Sequence, residues 1–125
     1  ITEGSRIALP KKLREQITSG QLILTKGFEK CIFLYDKSDW VIESQKHLEK
    51  PITDSNSRAL KRYLYSSASE NTIDEQGRFV IPNNLVEYAG LSKKTIIIGA
   101  GDHIELWNPQ NWQEYNDKII KEIII

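Results

Sequence analysis

An internal duplication is the feature that most constrains how this chain folds. One short module occurs twice, and the second copy is displaced by a constant 72 positions. The match runs without a gap from Arg6, which corresponds to Arg78, to Trp40, which corresponds to Trp112. Chance similarity would not keep one offset over so many positions, so the pattern indicates a repeated unit. The chain has 125 residues, which suits two very small units that share one core.

Both copies predict the same order of elements. A turn leads into a short strand that ends at Pro10 or Pro82, and proline suits the first turn of a helix because its missing N–H is not needed there. A glycine ends each predicted helix, and two apolar strands separated by a glycine-containing turn come next. Asp36 and Asn108 are predicted to cap a closing helix. The predicted elements are helices at 11–17 and 83–89, strands at 22–25, 31–35, 95–98 and 104–107, and closing helices at 37–48 and 109–120.

The segment between the copies predicts a polar loop followed by a helix from Arg58 to about Tyr65, with Ser57 as its N-cap. We therefore expect an α+β protein. Its expected parts are a first module at residues 1–48, a linker with a central helix at 49–73, and a second module with a C-terminal helix at 74–125.

Composition argues against several classes of function. Apolar residues make up 39 % of the chain, which is enough for a core, and no apolar run approaches the roughly 20 residues of a membrane span. Cys31, His47 and His103 lack the spacing of a metal site, and no nucleophile elbow or phosphate-binding glycine loop is present. We therefore expect no enzyme, cofactor or small-molecule substrate. The formal net charge of +0 argues mildly against a nucleic-acid partner, although local charge density matters more than the total.

The turn that enters each copy ends in an arginine. The two turns are Thr2-Glu3-Gly4-Ser5-Arg6 and Asp74-Glu75-Gln76-Gly77-Arg78. Arginine offers a rigid fork of donors that fits phosphate oxygens or the edge of guanine, and a β-hairpin is narrow enough to enter a major groove. The structural alternative is that the arginine pairs with a carboxylate of its own turn, which Asp74 allows for Arg78 and Thr2 does not allow for Arg6. The pattern alone leaves both interpretations open.

A second basic feature follows only the first of the two strands. Lys11, Lys12 and Arg14 stand where the second copy has two asparagines and a valine. The bland interpretation is a solvated helix face, and the functional one is a source of contacts to DNA phosphates. If DNA binds, the first copy should supply more of the phosphate-binding charge.

Aromatic residues recur at equivalent positions after the strands of both copies. Packing in a core or interface accounts for them better than stacking on bases, because their neighbours are apolar in both copies. The residues in question are Tyr35, Trp40, Trp107 and Trp112. Cys31 lies beside an apolar run and is predicted to be a buried, inert thiol.

The two turns and several other sequence segments, in their order along the chain, resemble the MraZ family, a duplicated relative of the AbrB-type swapped-hairpin regulators. The two turns look like its paired D-x-x-x-R motifs. Its second half is similar to Gly77-Arg78-Phe79-Val80-Ile81-Pro82, Glu87-Tyr88-Ala89-Gly90-Leu91 and Ile104-Glu105-Leu106-Trp107. Its central helix resembles Arg58-Ala59-Leu60-Lys61-Arg62-Tyr63-Leu64. The resemblance covers nearly the whole chain.

The resemblance implies two tandem AbrB-like modules, of the double-psi or swapped-hairpin type, that form a mixed β barrel with short helices outside. It implies closed rings of identical subunits in the cytoplasm, associated with the nucleoid. Such rings bind double-stranded DNA at short direct repeats in the promoter of their own operon, in the bacterial division and cell-wall gene cluster. The motif arginines that contact DNA carry over to Arg6 and Arg78.

Departures from the family pattern fall mainly in the first turn. Thr2 stands where aspartate is usual and Ser5 where glycine is usual, whereas Asp74 and Gly77 keep the pattern in the second turn. We therefore expect Arg6 to be held less rigidly than its counterpart. Two other functions stay open, namely an oligomeric interaction protein that does not bind DNA and an antitoxin-type regulator.

Overall fold

The protein, seen in a computed structural model, is described at residues 5–47, 50–51 and 53–124. Strands and helices of both copies occur in it, which confirms the mixed α+β class. The elements are β1 Arg6–Ala8, α1 Lys11–Arg14, β2 Gln21–Lys26, β3 Ile32–Asp36, α2 Lys37–His47, α3 Ser55–Ser67, β4 Ser69–Thr72, β5 Arg78–Val80, α4 Asn83–Ala89, β6 Ile96–Gly99, β7 Ile104–Trp107 and α5 Pro109–Ile124.

The strands form two separate antiparallel sheets. Five of them make a sheet in the order β4-β2-β3-β7-β6, and β1 pairs with β5 in a two-stranded ribbon. The resemblance implied a mixed β barrel, whereas strand pairing within the described residues gives two sheets and does not show a closed barrel. The ribbon lays its inner face on the sheet instead of extending either edge of it.

The duplication is visible in how the strands pair. In the ribbon Ile7 lies opposite Phe79, and in the centre of the sheet Phe33 lies opposite Glu105. Each of these pairs joins equivalent positions of the two copies. The copies are therefore related by a pseudo-two-fold axis, and each contributes one strand to the ribbon and one to the central pair of the sheet.

The core lies between the ribbon and the sheet. Ile7 and Phe79 point inward from the ribbon, whereas the residues beside them in β1 and β5 are exposed, as expected for strands with one buried face. Residues from both copies form a single cluster, which gives the two small modules one shared core. Its buried members are Leu9, Leu22, Leu24, Ile32, Leu34, Phe79, Ile81, Leu85, Ala89, Leu91, Ile104 and Leu106.

Three predictions about elements were wrong in detail. Helix α1 ends at Arg14, short of the predicted residue 17, because the chain continues in single turns closed by Gln16 and Ile17 N–H groups. Helix α3 begins at Ser55, because the Asp54 carboxylate accepts the Ser57 N–H at 2.8 Å and caps the helix in place of Ser57. Strand β4 was missed because its polar sequence has little intrinsic β-propensity and is held by pairing with β2.

The hairpins of the two copies differ by one residue. In copy one, residues 28–30 form the turn, and Glu29 and Lys30 hold φ values of +59° and +63°. In copy two, residues 101–102 form the turn, and Gly101 holds a φ of +91°. Positive φ strains residues with side chains but suits glycine. The gapless sequence match therefore conceals a difference of one residue in hairpin register.

Candidate nucleic-acid interface

The outer face of the ribbon brings the two motif arginines together. Arg6 lies opposite Val80, and Arg78 lies opposite Ala8. Because side chains alternate along a strand, these four residues share one face, and all four are exposed. Arg6 and Arg78 are thus diagonal neighbours, roughly 7–8 Å apart at their backbones. The sequence suggested two similar turns, and the structure adds that their arginines lie on one surface.

The second turn is organised by the Asp74 carboxylate. Its Oδ1 accepts the N–H groups of Gln76 and Arg78, both at 2.9 Å, and its Oδ2 accepts the Arg78 Nε–H at 2.9 Å. The Arg78 N–H, the guanidinium and the Gln76 N–H together hold the pKa of Asp74 below its usual value. The predicted Asp74–Arg78 ion pair is therefore present. It uses the Nε edge of a guanidinium whose side chain is 48 % exposed, so the pair orders the arginine without burying it.

Of the first turn, the described residue is Ser5, and its backbone matches that of Gly77 in the second turn. Ser5 has a φ of +58°, and Gly77 at the equivalent position has a φ of +79°. The Ser5 C=O accepts the Ile81 N–H at 3.0 Å, and the Gly77 C=O accepts the Leu9 N–H at 2.9 Å. Serine is therefore held in the left-handed conformation that glycine adopts freely. The predicted supporting role of Thr2 lies outside the described residues.

The three basic residues of α1 have two different environments. Lys11 and Lys12 are exposed, as a phosphate contact or a solvated face requires. Arg14 is partly buried against the second turn, where its Nη1 donates to the Glu75 C=O at 3.3 Å. Its Cδ lies 2.5 Å from the place where a Cβ on Gly77 would sit. The predicted basic group therefore splits into two open lysines and one arginine packed on the other copy.

Two consecutive stretches of the chain, residues 3–63 and 64–124, match the family model described as "MraZ protein, putative antitoxin-like". The chain belongs to the MraZ family. This confirms the resemblance seen in the sequence, and the tandem matches agree with the internal duplication.

Relatives within the MraZ family are similar over most of the chain. A protein of Clostridium acetobutylicum is 39 % identical over 116 residues, which covers 93 % of this chain and 81 % of the relative. One of Clostridium tetani is 41 % identical over 117 residues, covering 94 % and 82 %. One of Alkaliphilus oremlandii is 43 % identical over 115 residues, covering 92 % and 79 %. Each bears the name "Transcriptional regulator MraZ".

Aromatic packing in this MraZ-family chain follows the sequence prediction. The rings of Tyr35 and Trp40 lie 5.3 Å apart, and so do the equivalent rings of Trp107 and Trp112. Cys31 is buried, as predicted, and burial raises the pKa of its thiol. These side chains support the fold.

His103 lies in a hydrogen-bond network with two flanking carboxylates. His103 places Nδ1 2.7 Å from Asp102 and Nε2 2.8 Å from Glu105, while its ring lies 4.6 Å from the ring of Phe33 in the other copy. Burial alone would lower the pKa of His103, but hydrogen bonds to the two carboxylates outweigh it and raise the pKa. The spacing of acidic residues one before and two after the histidine was the signal in the sequence. The side-chain surroundings of His47 lie outside the description.

Two further observations limit the chemistry of the described residues. They contain no group of three or more His, Cys, Asp or Glu side chains placed to hold a metal ion. No helix in the described ranges is long and apolar enough to cross a membrane.

Proposed function

We propose that this MraZ-family protein is a transcriptional regulator that binds double-stranded DNA through the outer face of the β1–β5 ribbon. The observation that carries the proposal is that Arg6 and Arg78 are diagonal neighbours on that exposed face. Relatives named as transcriptional regulators support a regulatory role, and that role is not an enzymatic one.

The chemistry of the ribbon suits DNA. A two-stranded ribbon fits the major groove, where an arginine can donate two hydrogen bonds to one guanine. The small exposed side chain of Ala8 leaves room beside the arginines for base edges. Lys11 and Lys12 on α1 supply charge for the phosphates, which fix orientation and do not read sequence. The two copies would thus contribute unequally to DNA binding, because the additional positive charge comes from the first copy.

Multiple subunits would compensate for the absence of net charge. Two arginines and two lysines per chain would give only weak binding on their own, and the formal charge of the chain is +0. A closed ring of identical subunits would present several ribbons to short direct repeats, so that weak contacts add through effective concentration. We place such repeats in the promoter of the protein's own operon in the bacterial division and cell-wall cluster. The protein would then act in the cytoplasm at the nucleoid.

The finer architecture also belongs to this proposal. We assign AbrB-like swapped-hairpin modules to residues 1–48 and 74–125, joined by the segment 49–73. The shared pairing of β1 with β5 supports the exchange of strands between modules. Closure of the strands into a mixed barrel remains part of the proposal.

A second candidate is an oligomeric interaction protein that does not bind DNA. It is favoured by apolar side chains left open on helices, such as Ile42, which is 60 % exposed, and Ile123, which is 73 % exposed. An antitoxin-type regulator would also bind DNA, but it usually needs only one module. DNA binding itself distinguishes the proposed regulator from the interaction protein.

Footprinting on the DNA upstream of the protein's own gene tests the proposal. We expect protection of evenly spaced short repeats, and binding that weakens steeply as salt rises. A duplex that shows no protection and no binding even at low salt would favour the interaction protein.

A further inference from the structure

Arg14 reaches from the first copy onto the second motif turn. Its Nη1 donates to the Glu75 C=O, and its methylene chain covers Gly77, with Cδ 2.5 Å and Cγ 2.9 Å from the position of a Cβ there. Both contacts fall between Asp74 and Arg78, inside the turn that orients the exposed arginine. Only a glycine leaves room for the side chain to lie this close.

The environment of Arg14 is poor for a phosphate contact. Its Nε is buried and has no hydrogen-bond partner among the described residues. A buried N–H without an acceptor costs free energy, so the packing around it must compensate. A side chain held in this way is part of the wall of the turn, unlike the neighbouring exposed Lys12.

We propose that Arg14 is a positioning residue that buttresses the Asp74–Arg78 turn and thereby sets the direction of the Arg78 guanidinium. The inference rests on the proposed DNA-binding function for its consequence, but the contact itself can be tested without DNA. It assigns different roles to neighbours in α1, since Lys11 and Lys12 meet phosphates and Arg14 meets protein. It also accounts for the unequal copies, because the equivalent Val86 packs on the core cluster.

Amide hydrogen exchange of the free protein tests the contact directly. The Gly77 N–H donates to the Asp74 C=O at 3.0 Å, and the Arg78 N–H donates to the Asp74 carboxylate at 2.9 Å. In Arg14→Ala the turn loses the hydrogen bond from Arg14 to the Glu75 C=O and the packing of the side chain over Gly77. Because such a loss is worth roughly 1 kcal/mol, we expect both amides to exchange about tenfold faster. Ile81, whose N–H bonds to the other turn, should keep its rate and serves as the internal control.

Two variants separate packing from charge. Arg14→Met keeps an unbranched side chain over Gly77 without charge, and we expect exchange at Gly77 and Arg78 within about threefold of the wild type. Lys12→Ala, at an exposed position two residues before Arg14 in α1, should leave the exchange of those amides unchanged. Unchanged exchange in Arg14→Ala, or equal acceleration in Lys12→Ala, would overturn the proposal whether or not DNA binds.

DNA affinity measured over a range of salt concentrations tests the consequence. We expect Arg14→Ala to weaken specific binding about tenfold with no change in the salt slope, and Arg14→Met to bind within about threefold of the wild type. Lys12→Ala should lower the slope by roughly one. A slope lowered by one in both Arg14 variants would show that Arg14 contacts a phosphate and would overturn the positioning role. A wild type that does not bind would instead remove the proposed function, while the exchange result would still decide on the contact.

Discussion

Ser5 and Gly77 occupy equivalent positions with φ values of +58° and +79°, so opposite substitutions at the two sites should have opposite effects. A residue with a side chain costs roughly 1–2 kcal/mol in the left-handed region. Glycine also raises the entropy of the unfolded chain, which offsets about 0.4–1 kcal/mol of the stability gained by relieving that strain. We therefore expect Ser5→Gly to raise the free energy of unfolding by about 0.5–1 kcal/mol. For a chain of this size the melting temperature should rise by about 2–4 °C.

Gly77→Ala introduces the strain that Ser5→Gly removes and adds a clash. The new Cβ would lie 2.5 Å from Cδ of Arg14, which would have to leave its place over the turn. We expect Gly77→Ala to lower the free energy of unfolding by about 1–3 kcal/mol. Denaturant and thermal unfolding followed by circular dichroism, with all proteins at one concentration because assembly shifts the melting temperature, would measure both effects. A less stable Ser5→Gly protein, or a Gly77→Ala protein as stable as the wild type, would refute the reasoning.

Three further predictions concern the hairpin turn, the histidine and the second motif turn. Replacing Glu29 by Asn and Lys30 by Gly should stabilise the protein by about 1 kcal/mol in denaturant unfolding, since both positions have positive φ; a less stable double variant would contradict this. The raised pKa of His103 contributes stability that is present below its unfolded pKa of about 6.5 and is lost as pH rises through the folded pKa. His103→Gln should therefore flatten the fall in unfolding free energy over that range, and an unchanged pH profile would speak against the network. Asp74→Ala should weaken specific DNA binding about tenfold although it removes a negative charge, because Arg78 loses the carboxylate that orients it; anisotropy titrations showing tighter specific binding would count against this role.

The sequence predicted what local pattern controls. Proline before each short helix, the Asp36 and Asn108 caps and the apolar strands recur in both copies, and the structure has them at nearly the predicted places. The Asp74–Arg78 ion pair could also be predicted, because both partners lie in one turn and are only four residues apart.

Long-range strand pairing could not be predicted from the sequence in the same way. Nothing local indicates that β1 pairs with β5, and this pairing alone brings Arg6 beside Arg78. Strand β4 forms because β2 offers it an edge, and Arg14 departs from the other basic residues of α1 because the second turn folds against it. Each of these features depends on contacts between segments that are far apart in the sequence, which the repeat itself does not encode.

The affinity of the protein for its upstream DNA, measured over a range of salt concentrations for three arginine variants, tests the central claim most directly. Arg6→Ala and Arg78→Ala remove charge from the ribbon, and Arg62→Ala removes the same charge from an exposed position on α3. We predict that each ribbon variant loses specific binding by at least about a hundredfold while the oligomer persists, and that Arg62→Ala binds within about threefold of the wild type. Equal affinities for all three variants would contradict a DNA-reading ribbon.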